Sequence, residues 1–334
     1  MPHGYIAKWL HGYINHSAIR PFNHSKARLG FTLIELLIVI AVVGVLAVGV
    51  LTAINVTSQI GRANLSKAKT FSASVENSLA ISQVGKWSFE DSSNLGKDTS
   101  GYGKDGTLGV IDWGGGGLPS WQNATTCGLG FGGCLRFDGI GSYVRLPASA
   151  SLSYGSGFTL SVWIKTNTPG DAGATANTVR CIWCSETGAG PGVRFLVISD
   201  GKVGFSLVNP ATVFSINSIS KVTDDVWHHL LVRWDGTNTA NAAKLYIDGK
   251  VENQATAGNL PASSDTLNSC LGNFPGGVTD CNYAGADHTG GDYSRGARYK
   301  GLMDEVTTYN LALTFSQVQQ LYARGLARRL LALH

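Results

Sequence analysis

The chain has 334 residues, of which 43% are hydrophobic, 14% are charged and 43 are glycine. That composition excludes a disordered chain, which lacks the apolar residues to build a core, and it suits short strands joined by many turns better than an all-helical protein. The net charge of +4 is carried by the first thirty residues, where Lys8, Arg20, Lys26 and Arg28 occur without an acid; the near-neutral remainder lacks the clustered cations of a nucleic-acid footprint, and no nucleic acid is expected as a partner.

The first predicted element is a long helix. Residues Phe31 to Ile54 are interrupted by only three polar side chains, Thr32, Glu35 and Thr52. A helix of that length covers roughly 36 Å, enough to cross a hydrocarbon core of about 30 Å. A secretory signal would have a shorter apolar core followed by a small-residue cleavage site. Here a glycine, Gly30, precedes the run, and basic residues precede the glycine. Glu35 costs on the order of 3 kcal/mol inside a bilayer unless it has a partner. A cut between Gly30 and Phe31 would supply one, because the new amino group of Phe31 lies four residues from Glu35 on the same helical face. In an assembly the amine of one subunit could pair with Glu35 of its neighbour. No proline falls between Pro21 and Pro119, and apolar residues recur at Val56, Ile60, Ala63, Ala68, Phe71, Val75 and Leu79. One helix is therefore expected from about Thr32 to Ser82, its outer half amphipathic, with its stripe packed on its own domain, in a filament, or both.

The run Arg28-Leu29-Gly30-Phe31-Thr32-Leu33-Ile34-Glu35-Leu36-Leu37 closely resembles the processing site of type IV pilins and of the pseudopilins of type II secretion. The resemblance implies that a prepilin peptidase cuts after Gly30 on the cytoplasmic side and methylates the amine of Phe31, and that Glu35 guides subunit docking. It departs from the family in a long leader and in Thr52, where many pilins carry a helix-kinking proline.

From Val84 the pattern turns to alternation. "FTLSVWIK" places Phe158, Leu160, Val162 and Ile164 on one face and Thr159, Ser161, Trp163 and Lys165 on the other. Asp200-Gly201, Asp235-Gly236 and Asp248-Gly249 follow or separate strand-like runs and read as turns. The segments "KWSFEDSSNLGKDTSGYGKDGTL", "CLRFDGIGSYVRLP", "FTLSVWIKT", "VWHHLLVRWDG", "LYIDGK" and "YKGLMDEVTTYNLAL" occur in the order found in LamG-like, concanavalin A-type jelly rolls, a resemblance spanning about Gly85 to Gly325. It implies two packed antiparallel sheets. Thr314 to Gln317 forms a capping box opening a short closing helix that Gly325 is expected to stop. The fold class is thus α+β: a leader (1–30), a pilin-type helix (31–83, transmembrane over 31–54 and amphipathic over 55–83), a LamG-like β-sandwich (84–325) and a tail (326–334).

The six cysteines lie downstream of the apolar span, as in an oxidising compartment. Fifteen pairings are open. Proximity favours Cys127–Cys134 and Cys270–Cys281, leaving Cys181 and Cys184, whose Cys-Ile-Trp-Cys spacing is read as a structural disulfide or two thiols rather than a redox motif.

Catalysis is not expected. A retaining glycosidase needs two carboxyls about 5–5.5 Å apart; the laminarinase-type Glu-x-Asp-x-x-Glu signature is absent, and the adjacent Asp304 and Glu305 should point to opposite faces. His228 and His229 are read as structural. Asp98 and Asp105, in a Gly-rich loop near the domain start, with Asp304 near its end, are candidate ligands for a structural Ca²⁺, the site that jelly rolls of this type often carry; Asp287, His288 and Asp292 have a poorer claim. Trp113, Trp121, Trp183, Tyr283 and Tyr293 are candidate sugar platforms. The expected function is a minor pilin or pseudopilin displaying a sandwich that binds a surface glycan or protein, in adhesion. The alternatives are a secretion or DNA-uptake pseudopilin with a structural head, and a membrane-tethered glycan hydrolase. The expected partners are prepilin peptidase, other pilin subunits and the membrane. The expected location is the bacterial inner membrane, crossed once with the head outside, and then the pilus or cell surface.

Overall fold

The structure is a computed structural model that describes residues 33–111, 116–128, 132–148, 152, 157–170, 179–185, 192–209, 211–258, 268–274, 281 and 298–331, with backbone alone for 44–59, 209, 211 and 329–331. It divides into two compact units, Met1–Ser58 and Gln59–His334. Helix α1 (Leu33–Ala80) is 48 residues long, a length the proline-free stretch allows. In the first unit the side chains of Leu33 to Val43 are exposed, Leu33 by 78% and Ile38 by 58%. Among the described residues no helix is long and apolar enough to cross a membrane; the run Phe31–Ile54 lies partly outside them.

In the second unit the helix ends at Ala80, where the amide and hydroxyl of Ser82 both donate to the carbonyl of Leu79, satisfying a terminal acceptor. The chain then enters β1 (Gln83–Trp87), β2 (Thr107–Val110), β3 (Ser120–Gln122), the single turn α2 (Ala124–Cys127), β4 (Cys134–Asp138), β5 (Ser142–Leu146), β6 (Phe158–Lys165), β7 (Arg180–Cys184), β8 (Gly192–Val197) and β9 (Lys202–Asn209). It continues through β10 (Ala211–Lys221), β11 (Trp227–Trp234), β12 (Ala243–Ile247), β13 (Lys250–Ala255), β14 (Ser269–Leu271), β15 (Lys300–Tyr309) and α3 (Phe315–Leu331). These strands form two antiparallel sheets. The first has the order β13-β12-β11-β6-β15-β4-β3 with β1 also paired to β15; the second has the order β10-β9-β8-β7-β14-β5-β2. Their facing sides interdigitate in one core that includes Trp87, Phe137, Phe158, Phe195, Phe205 and Trp234.

The hairpin signals act as expected. Asp248 and Gly249 both have positive φ, 51° and 73°, the conformation a two-residue turn between β12 and β13 requires. Gly201 (φ 82°) closes the β8–β9 hairpin. The two disulfides that proximity favours form, Cys127–Cys134 and Cys270–Cys281, and of the two readings open for Cys181 and Cys184 the disulfide is the one found.

The outer face of the first sheet is not solvent. Every residue of β6 from Phe158 to Ile164 is buried, including Thr159, Ser161 and Trp163 on the side away from the core. Two helices cover that side. Val75 and Leu79, from the last turns of α1, and Val318 and Leu321, from α3, pack with Leu231, Tyr246, Tyr309 and Leu313 into a second core. Each fully buried aliphatic side chain there contributes about 1.5–3 kcal/mol. Higher on the α1 stripe, Phe71 and Ile60 stay exposed, by 37% and 55%, so the helix docks on its own domain only through its end.

The capping box is formed: the Gln317 side chain accepts from the amide of Thr314, whose hydroxyl accepts from the amide of Gln317. The expected stop at Gly325 is corrected. Helix α3 runs through Gly325 to Leu331, taking most of the expected tail into the domain. Glycine is needed there for closeness, because a Cβ would stand 2.4 Å from the Trp163 ring. That ring cannot yield, being stacked on Tyr322 and flanked by His229, with centroids at 5.8 and 5.1 Å. Alanine is normally favoured over glycine inside a helix by about 1 kcal/mol, yet Gly325→Ala is expected to destabilise the full chain by about 1–3 kcal/mol through overpacking. An unchanged or raised midpoint in chemical denaturation would refute the close-packing role.

Candidate functional site

Glu35 lies in the first turn of α1 with its flanking apolar side chains exposed. An exposed apolar surface of this extent marks a site for lipid or another protein. Gly30 and Phe31 lie outside the described residues, as do Trp113, Tyr283, Tyr293, Asp287, His288 and Asp292.

Beneath α3 the sheet carries a buried polar group. Glu305 has a left-handed backbone (φ 48°), and the β15–β6 register shifts between Asp304 and Thr307. This bulge overturns the expectation that the two acids face opposite ways. Asp304 pairs in register with Trp163 on the helix side, and Glu305 bonds Arg324 (2.8 Å) and Arg328 from α3. Arg328 also reaches Glu90 at 2.5 Å. Burial raises the Glu305 carboxyl, but the charges of Arg328, Lys86 and Arg324 outweigh it and hold the group ionised, well below the usual range. Burial and the neighbouring Glu305 charge push the Asp304 carboxyl well up. The cavity over this group has a volume of about 20 Å³, room for a water and not for a sugar ring.

His229 sits in the same place. Its Nε2 is 2.8 Å from the Ser161 hydroxyl. Its amide donates to the Asp248 carboxylate, which also bonds His228, so the histidine pair is structural in its contacts. Burial lowers His229 to about 4. The unfolded state therefore binds a proton that the folded state refuses, and stability present above pH 6.5 is lost as pH falls toward 4. His228 is shifted the opposite way, mainly by its hydrogen bond to Asp248, and partly offsets this. Between pH 7 and pH 4 the wild-type chain is expected to lose about 3 kcal/mol more stability than His229→Gln. Denaturant titrations of both at the two pH values check this; equal losses would contradict a buried neutral imidazole.

The expected calcium ligands are not assembled. The Asp98 carboxylate accepts from the amides of Lys86, Ser100 and Lys104, at 3.0, 2.9 and 2.9 Å, and Asp105 accepts from the amide of Asp98 at 2.8 Å. Both acids organise their own loop, and Asp304 is enclosed elsewhere under α3. Among the described residues no three His, Cys, Asp or Glu are grouped to hold a metal. The aromatic platforms also thin out. Trp183 is a core residue packed on Trp87, and the Trp121 ring nitrogen is tied to the carbonyl of Phe89.

Two surfaces are placed differently. On the outer face of the second sheet, cross-strand pairing sets Thr107, Arg145, Cys270, Cys184, Arg194, Ser206 and Ser215 in one row, with two disulfides between the arginines. On the first sheet, past the cover of α3, lies a cleft of about 440 Å³. Its wall is the row Arg136, Leu302, Lys165, which pairing across β4, β15 and β6 puts on one face, with Lys300 opposite Asp138 one step along. Thr126 of α2, Thr166, Asn167 and Asp225 complete the polar lining. Asp138 braces the rim: it accepts from the amides of Ile140, Gly141, Ser142 and Gly117 and from the Ser142 hydroxyl. Burial raises this carboxyl, but the hydrogen bonds prevail and hold it at about 2. Gly301 (φ 151°) lets β15 approach Lys165, whose carbonyl would stand 2.4 Å from a Cβ. These cleft residues were missed in the sequence, where nothing local marks them.

Two antiparallel sheets stacked face to face, with successive strands passing between them, define a jelly-roll sandwich. The chain belongs to the concanavalin A-like lectin/glucanases superfamily, whose pattern residues 138–319 match. Residues 25–51 carry the prokaryotic N-terminal methylation motif, making this a pilin-like protein with a concanavalin A-like head. No curated protein matches the chain. Among solved structures, it is similar to domain 4 of AbnA, a GH43 extracellular arabinanase from Geobacillus stearothermophilus in complex with arabinotriose. The identity is 20% and the TM-score 0.51, over 72% of this chain and 98% of that one. The binding domain of Paraclostridial Mosquitocidal Protein 1 is similar at 16% identity and a TM-score of 0.50, over 73% of this chain and 52% of that one. At these identities the likeness shows the fold.

Proposed function

We propose that the chain is a pilin or pseudopilin subunit, anchored by α1 and displaying its sandwich as a glycan- or protein-binding head, in adhesion. The observation that carries this is the methylation motif at residues 25–51, set directly on an exposed apolar helix and followed by a lectin-type sandwich. A prepilin peptidase cuts after Gly30, the amine of Phe31 is methylated, and the Phe31 amine pairs with Glu35 of a neighbouring subunit. Before assembly the helix crosses the bacterial inner membrane once, with the head outside; three disulfides are consistent with an oxidising compartment. The arabinanase domain with its bound arabinotriose supports a saccharide as the ligand class. The head binds rather than hydrolyses: its adjacent carboxyls are enclosed beneath α3, with Glu305 held in ion pairs.

Mass spectrometry of the full chain co-expressed with a prepilin peptidase tests the reading. The expected product begins at N-methylated Phe31. A chain that keeps its first thirty residues would overturn the filament-subunit reading and leave a tethered sandwich.

A further inference from the structure

We propose that the cleft on the first sheet binds an acidic saccharide of about two or three rings, gripping a sugar carboxylate between Arg136, Lys165 and Lys300. The inference rests on the reading of the sandwich as a binding head, and adds where it binds and what chemistry it selects.

The strand order β4-β15-β6 gathers three cations from distant parts of the chain onto one face. The side chains of Arg136 and Lys300 have no hydrogen-bond or ion-pair partner among the described residues. The Lys300 stem is nonetheless directed, because it lies over Gly139, where a Cβ would stand 2.7 Å from it, and Thr166 holds the Lys300 carbonyl at 2.7 Å. Lys165 has only a loose partner, Asp225 at 3.9 Å. Of the two carboxylates in the cleft, Asp138 is spent on four backbone amides and a hydroxyl. The cleft therefore presents a guanidinium and an ammonium that neither of its carboxylates ion-pairs, which favours a planar carboxylate taken in a forked hydrogen bond by Arg136.

The volume decides between a bare anion and a larger acid. A phosphate would occupy a small part of about 440 Å³. The rest is lined by Thr126, Thr166 and Asn167, which suit sugar hydroxyls, and by Leu302, which suits the C–H face of a ring. A nucleic acid needs a cationic groove that tracks its backbone, whereas this cleft is confined and contains Asp138 and Asp225.

The test is calorimetric titration of the full chain in detergent micelles with a panel of uronate and sialate oligosaccharides, each beside its carboxyl-reduced neutral counterpart. Inorganic phosphate, a hexaglutamate peptide and a DNA oligonucleotide complete the panel. An acidic member is expected to bind roughly tenfold more tightly than its neutral counterpart, and Arg136→Gln and Lys300→Gln to lose about tenfold each. Asp225→Asn should tighten binding about twofold by releasing Lys165, a change of sign that misfolding cannot imitate. Equal affinity for the neutral counterpart, or wild-type affinity in Arg136→Gln and Lys300→Gln, would overturn the cleft assignment and leave the binding head intact. Binding of phosphate, peptide or DNA alone would overturn the saccharide class. No binding of any saccharide would remove the glycan-binding reading of the head as well.

Discussion

The domain depends on how the outer face of its first sheet is kept dry. That face carries Thr159, Ser161, Trp163, His229 and Glu305, a set of side chains that a solvated sheet could leave to water. Here they are sealed beneath the end of α1 and the whole of α3, and Glu305 is compensated by Arg324 and Arg328. Removing one partner of such a buried pair costs about 3–5 kcal/mol, because the remaining charge has no water to turn to. The bulge at Glu305 is what aims the carboxylate at the arginines. The last turns of the helix, the bulged strand and the closing helix are thereby one layer.

That layer gives the two halves of the function a physical connection. In a chain whose helix merely led to a sandwich, a flexible joint would follow Ala80. Instead Val75 and Leu79 are core residues of the domain, Glu76 bonds Lys86 of β1, and the Asn310 amide donates to the Ser82 carbonyl. The helix end is part of the fold that carries the cleft. The same cover also decides which part of the sheet stays open. Where α3 lies, the carboxyls and the histidine are enclosed around a volume of about 20 Å³; beyond it, the sheet opens into the cleft between Arg136 and Lys165.

Much of this could be read from local sequence. The absence of proline predicts one helix from about Thr32 to Ser82, and it runs from Leu33 to Ala80. Asp-Gly pairs mark hairpins because positive φ has few other residues to host it, and cysteines close in sequence find each other. What escaped depends on distance. Arg328 belongs to the expected tail until Glu305 and Glu90 are seen beside it, the latter 238 residues away, and Arg324 pairs with the same Glu305. Gly325 has the composition of a helix stop, and only the Trp163 ring explains why it continues. Alternation places Asp304 and Glu305 on opposite faces because a bulge has no local signature here. The cleft cations belong to strands far apart in the chain, and strand order is not a property of periodicity. Asp98 and Asp105 have the residue types of a calcium loop and are used by their own backbone.

The central claim is that the end of α1 and the sandwich are a single cooperative unit. Native-state hydrogen exchange of the full chain, followed peptide by peptide, addresses it directly. The account predicts that amides of residues 72–80 open with the same free energy, and the same denaturant dependence, as those of β6, β11 and β15. Helix amides that exchange through local fraying while the sheet stays protected would contradict it.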